Sequence, residues 1–121
     1  MPRQSPPPGP RLRIVLEAGI AIGPGKADLL EAVETAGSIS AAGRSLGMSY
    51  KRAWSLIETL NGDFGQPLVR TSKGGRTHGG AELTDTGRKV LTLYRRMEER
   101  AREATKGDLR TLRKLLPVIS D

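Results

Sequence analysis

Cysteine is absent from the 121 residues, which excludes disulfides, thiolate metal sites and thiol nucleophiles together. Histidine is nearly as scarce. The single copy, His78, stands in a glycine-rich stretch where no orienting carboxylate or nucleophile can be named, so no catalytic residue, metal or cofactor is expected. The aromatic set is Tyr50, Trp54, Phe64 and Tyr94, a poor supply of stacking platforms for single-stranded nucleic acid. Long apolar runs are also lacking. Residues 14–22 come nearest, but Glu17 interrupts them and they fall far short of the roughly 20 residues a membrane span needs. The N-terminus is proline-rich rather than signal-like. These gaps lead to the expectation of a soluble, cytoplasmic chain with no membrane partner.

Positive charge, by contrast, is abundant. Twenty Lys and Arg oppose thirteen Asp and Glu, a net charge of +7, which favours a polyanionic partner. With so few aromatics, double-stranded DNA suits that role better than single strands. The length allows one domain with a modest core. Residues 1–10 hold five of the eight prolines and read as a disordered tail, residues 11–105 as the domain, and residues 106–121 as a short helical tail.

The stretch from Gly37 to Asn61 organises the rest. Ile39, Ala42 and Leu46 form one apolar stripe of a short helix, with Ser38 placed to cap its start and Gly47 to end it. Ser49 is placed to cap a second helix, about residues 49–61, whose inward stripe is Ala53, Leu56, Ile57 and Leu60. At about 100° per residue the outer face then carries Lys51, Ser55 and Glu58, flanked by Arg52 and Thr59. Donors at the exposed first turns are what a helix-turn-helix needs to reach base edges in a major groove.

Upstream, residues 11–17 alternate as a half-buried strand, with Leu12, Ile14 and Leu16 on one face. Residues 19–26, Gly-Ile-Ala-Ile-Gly-Pro-Gly-Lys, lie where a phosphate-cradling loop would, but Ile20 and Ala27 break that spacing and a nucleotide site is rejected. A first helix over residues 28–35 turns Leu29, Leu30 and Val33 inward. Downstream, Asn61-Gly62-Asp63 reads as a break, followed by strands over residues 67–71 and 81–84. Residues 72–80 between them hold four glycines, Lys73 and Arg76 but no acid, the composition of a wing that lies on phosphates or in the minor groove.

Thr84 is placed to cap a long helix over residues 85–105, interrupted by Gly107, with a last helical segment over residues 108–116. Val90, Tyr94, Met97 and Ala101 recur at 4-3-4 spacing, a seam suited to the core or to a second copy in a homodimer. The predicted fold is mainly α with a small β-hairpin: a winged helix-turn-helix with an N-terminal strand and a long C-terminal helix. The predicted DNA-binding residues are Ser38, Ser49, Tyr50, Lys51, Arg52 and Ser55 on the helices, and Arg70, Lys73 and Arg76 on the wing.

The stretches Gly37-Ser38-Ile39-Ser40-Ala41-Ala42 and Met48-Ser49-Tyr50-Lys51-Arg52-Ala53-Trp54, with the glycine-rich wing ending in Leu83-Thr84, resemble the N-terminal domain of ModE-type molybdate-responsive regulators. That group lies within the broader set that includes LysR-type regulators. The resemblance covers about residues 11–105 and implies a dimeric, sequence-specific DNA-binding regulator linked to molybdate transport or molybdenum enzymes. Only residues 106–121 follow the long helix, too few for an oxyanion-binding module. The expectation is therefore either a separate oxyanion-sensing protein or a regulator without that ligand. The rival class is a nucleoid-type architectural protein that binds DNA without sequence readout.

Overall fold

The computed structural model describes residues 7–72 and 79–117. Its elements run β1 (Ile14–Glu17), β2 (Ile20–Ile22), α1 (Pro24–Ala36), α2 (Ile39–Ser45), α3 (Tyr50–Phe64), β3 (Val69–Ser72), β4 (Gly80–Leu83), α4 (Asp85–Ala104) and α5 (Lys106–Lys114). The expected winged helix-turn-helix is present.

The N-terminal strand differs from expectation in having a partner. β1 and β2 form an antiparallel hairpin, with Ile14 opposite Ile22 and the register shifting between Val15 and Glu17. Leu16 is the extra residue of that bulge, which breaks the alternation and leaves it exposed. Gly19, at φ +80°, supplies the turn that brings Ile20 back alongside β1.

Helix α1 begins four residues before the expected start, because Pro24 at its first turn has φ preset for a helix and no N–H to leave unpaired. Leu29, Leu30 and Val33 are fully buried, each contributing about 1.5–3 kcal/mol of apolar burial. Helix α3 ends later than expected: it runs through Asn61-Gly62-Asp63 to Phe64. The Asn61 side chain does not turn the local backbone but accepts from the Leu68 N–H at 2.8 Å, tying α3 to the start of the next hairpin.

That hairpin pairs Val69 with Leu83 and Ser72 with Gly80, two residues later on the first strand than expected. Pro67 has no N–H for a ladder, and the Leu68 N–H is already taken by Asn61. The Ala81 N–H donates to the Gly37 carbonyl at 2.8 Å, which seats β4 against the end of α1. Helix α4 starts on Thr84, whose hydroxyl accepts from the Gly87 N–H. It bonds to α1 through Arg95, which reaches Asp28 at 2.9 Å and Glu31 at 2.8 Å, and through Arg88, 3.1 Å from Glu34. The break after α4 falls at Thr105 rather than Gly107, which lies inside α5. Thr105 Oγ1 donates back to the Ala101 carbonyl at 2.8 Å, a bond that favours a bend. No residue of α5 is buried.

Candidate nucleic-acid interface

Two serines and two glycines set the angle between α2 and α3. Ser38 Oγ accepts from the Ala41 N–H and Ser49 Oγ from the Arg52 N–H, each at 3.1 Å, so both hydroxyls start helices while keeping an O–H to donate. Gly47 takes φ +71° in the turn between the helices. Gly43, which the sequence reading passed over, packs where α2 crosses α3: a Cβ there would lie 3.3 Å from the Ala53 Cβ and 3.4 Å from the Met48 carbonyl. The available signal was a small-residue pair, Ala42-Gly43, in a helix too short to afford a gap.

With Ala53, Ile57 and Leu60 buried beneath it, α3 turns Lys51, Ser55 and Glu58 to solvent, as its periodicity requires. Its two flanks differ. Tyr50 and Trp54 meet edge to face at 6.2 Å between centroids on the side of the β3–β4 hairpin. Together with Ser38, Ser40, Thr71 and Ser72 they line a cleft of about 540 Å³. Arg52 and Leu56 lie on the opposite flank, toward the start of α1. The helix residues predicted to meet DNA are thus brought onto one face and its two borders.

The wing residues are less uniform. Arg70 lies across from Glu82 in the hairpin register and 3.6 Å from its carboxylate, so part of its charge is answered within the wing. Lys73 and Arg76, and His78 with them, lie outside the described residues. Among the described residues, neither Lys51 nor Arg52 has a carboxylate at ion-pair distance, and no three His, Cys, Asp or Glu side chains gather as a metal site would need.

Behind this face, Arg95 contacts Asp28, Glu31 and Glu98. Burial alone would lower its pKa, but the hydrogen bonds to those three carboxylates outweigh it and hold the guanidinium charged more firmly than usual. Of the predicted seam, Tyr94 is buried in its own chain and donates its hydroxyl to the Leu12 carbonyl at 2.7 Å. Burial, helped by Glu98, raises the pKa of that hydroxyl. Val90 and Ala101 are half-buried, while Met97 is 45% exposed beside the exposed Leu93. Val90, Leu93 and Met97 share a recess of about 160 Å³ with Ile14, Leu16 and Phe64.

Residues 26–88 match the family described as bacterial regulatory helix-turn-helix protein, lysR family. The chain is similar to the molybdenum transport protein ModE of Azotobacter vinelandii, 36% identical over 121 aligned residues that cover 91% of this chain and 45% of that protein. It is also similar to the molybdenum-pterin-binding protein MopA of Rhodobacter capsulatus, 42% identical over 77 residues, covering 64% of this chain and 29% of that one. The chain spans less than half the length of these relatives. Among solved structures it is similar to the crystal structure of a CbnR DNA-binding domain complexed with DNA, with TM-score 0.58, 27% identity, and coverage of 73% of this chain and 95% of that one.

Proposed function

We propose, for a chain that belongs to the lysR family of bacterial regulatory helix-turn-helix proteins and carries a ModE-type helix-turn-helix domain, that it regulates transcription by reading duplex DNA with α3 in the major groove. The observation that carries this reading is the outer face of α3, where Lys51 and Ser55 stand exposed on a helix locked to α2 through Gly43. Lys51 donates to purine acceptors, and Ser55 to either kind of base edge. Ser38, Ser49 and Tyr50 border the contact. Arg70 and, in the sequence of the wing, Lys73 and Arg76 supply phosphate contacts.

Two copies act together. Met97 and Leu93, with Val90 and Ala101 on the same helix, give a second chain an apolar strip, and two linked helix-turn-helix units on adjacent major grooves bind far more tightly than one. The names of the relatives, a molybdenum transport protein and a molybdenum-pterin-binding protein, support molybdenum as the physiological context.

Selection of binding sites from random duplexes tests the reading. A sequence-reading regulator enriches one inverted repeat and prefers it over random duplex by ~10³ or more. Lys51→Ala should then relax the preference at one position by about 1–3 kcal/mol. Equal affinity for all duplexes would instead favour an architectural protein.

A further inference from the structure

The flank of α3 away from the wing carries a feature that the reading above does not use. Arg13 at the start of the first hairpin, Lys26 in the first turn of α1, and Arg52 with Leu56 on α3 line one open recess of about 280 Å³. Gly23, Pro24 and Gly25, at the start of α1, also line it. Among the described residues Arg13 and Arg52 are exposed and have no ion-pair partner. Lys26 gives one of its three donors to the Ala21 carbonyl at 2.9 Å and stands 3.9 Å from Asp63, the carboxylate nearest to it. Three cations against one carboxylate leave the recess positive. The first turn of α1 adds no acid and no side-chain cap that would compete for an anion.

We propose that this recess binds a backbone phosphodiester of duplex DNA, on the strand across the major groove from the one the wing follows. The proposal rests on the reading of α3 as the major-groove helix. A helix with its side chains is about 10–12 Å across and the major groove about 12 Å wide, so both flanks of an inserted helix meet a phosphate backbone. On α3 those flanks are Tyr50 and Trp54 toward the wing, and Arg52 and Leu56 toward the recess. Arg52 is about 100° round the helix from Lys51, so the two neighbouring cations separate by role. Lys51 reads bases, and Arg52, with Arg13 and Lys26, holds a phosphate. The guanidinium forks of Arg13 and Arg52 suit the two unesterified oxygens of such a group.

The test uses the double variant Arg13→Gln, Arg52→Gln in the whole chain, since both side chains are exposed and its urea midpoint should match the wild type. Binding is measured to a mixed-sequence duplex of about two helical turns and to a duplex enriched by selection. The expected result is a log K against log salt slope flatter by about 0.9, the value for one phosphate no longer neutralised, with the ratio of affinities for the two duplexes unchanged. Ethylation of one phosphate opposite the wing should interfere with the wild type and not with the variant. An unchanged slope, with Lys51→Ala still relaxing sequence preference, would overturn the recess as a DNA contact and leave the α3 reading standing. A changed base preference in Arg52→Gln would overturn it by making Arg52 a reader. Titration with inorganic phosphate distinguishes the other source of the same chemistry: millimolar-or-tighter binding lost in the variant, with an unaltered duplex slope, would mark a free-anion site and overturn the proposal. If no selected duplex is preferred and none binds, the α3 reading itself fails and the recess falls with it.

Discussion

Gly87 lies in the first turn of α4, and its replacement by alanine is a sharp test of how the wing is held. An ideal Cβ at this position would overlap the Leu68 carbonyl oxygen and sit 3.0 Å from the Leu68 carbonyl carbon and 3.3 Å from its Cα. The neighbour is backbone, and it is pinned from both sides. The Leu68 N–H donates to Asn61 at 2.8 Å, and its carbonyl accepts from the Thr84 N–H at 2.9 Å. Its side chain is fully buried. An alanine in a helix is favoured over glycine by up to about 1 kcal/mol, which works against the effect. Overpacking against a fixed backbone costs about 1–3 kcal/mol, and displacing the Leu68 carbonyl weakens one or two hydrogen bonds of about 1 kcal/mol each. The net expectation for Gly87→Ala is a loss of about 2 kcal/mol, read as a lower urea midpoint at unchanged m-value. Gly62 in α3 serves as the control, because a Cβ there meets nothing within 4 Å. Gly62→Ala should therefore stabilise by about 0.5–1 kcal/mol. If Gly87→Ala were as stable as the wild type, the close approach of α4 to the base of the wing would be wrong.

Three further outcomes are expected. Tyr94→Phe removes the bond to Leu12 and should cost about 1 kcal/mol near neutral pH. Because burial raises the Tyr94 pKa in the folded state, its stabilisation is fully present below the unfolded tyrosine value near 10 and is lost as pH rises through the higher folded value. The wild type should thus lose stability in that alkaline window, and the phenylalanine variant should lose less. Met97→Asp places a charge on the exposed apolar strip, so sedimentation equilibrium should give a dimer mass for the wild type and a monomer mass for the variant. A wild-type monomer at tens of micromolar would refute the seam. Glu58→Gln removes a carboxylate that suits the cytosine amino group, and site selection should show relaxed choice at one position by about 1–3 kcal/mol; an unaltered selected sequence would remove Glu58 from the reading face.

What the sequence made legible was local. Ser38, Gly47 and Ser49 act within a turn of their own positions, and the α3 wheel follows from the spacing of Ala53, Ile57 and Leu60. Features made by distant segments were not legible. Tyr94 reaches Leu12 across 82 positions of sequence, so a residue that fits a dimer seam by spacing is spent on its own core. Asn61 looked like a break because its usual competitor is its own backbone, yet here it serves Leu68. The recess brings together Arg13, Lys26 and Arg52 from three separate stretches of the chain, and the Gly-rich segment that lines it breaks the nucleotide-loop spacing at Ile20 and Ala27.

The net charge of +7 also conceals an arrangement that only the fold supplies. The acids of α1 are all consumed by arginines of α4: Asp28 and Glu31 by Arg95, and Glu34 by Arg88. Glu98, Glu99 and Glu103 are paired along α4 and into α5. Cations without an ion-pair partner remain, among the described residues, on α4 (Lys89, Arg96 and Arg100) and α5 (Arg110, Arg113 and Lys114) as well as on the α3 face, where Arg52 and Arg13 stand beside Lys51. Because the acids of α1 are spent on α4, none of them offsets Lys51, Arg52 and Arg13, whose charge is left to draw a polyanion to the α3 face. On that face Glu58 is the exception, a carboxylate set among donors. It repels a phosphate that strays onto the middle of α3 and so favours seating the backbone at the flank that carries Arg52 and, across the recess, Arg13.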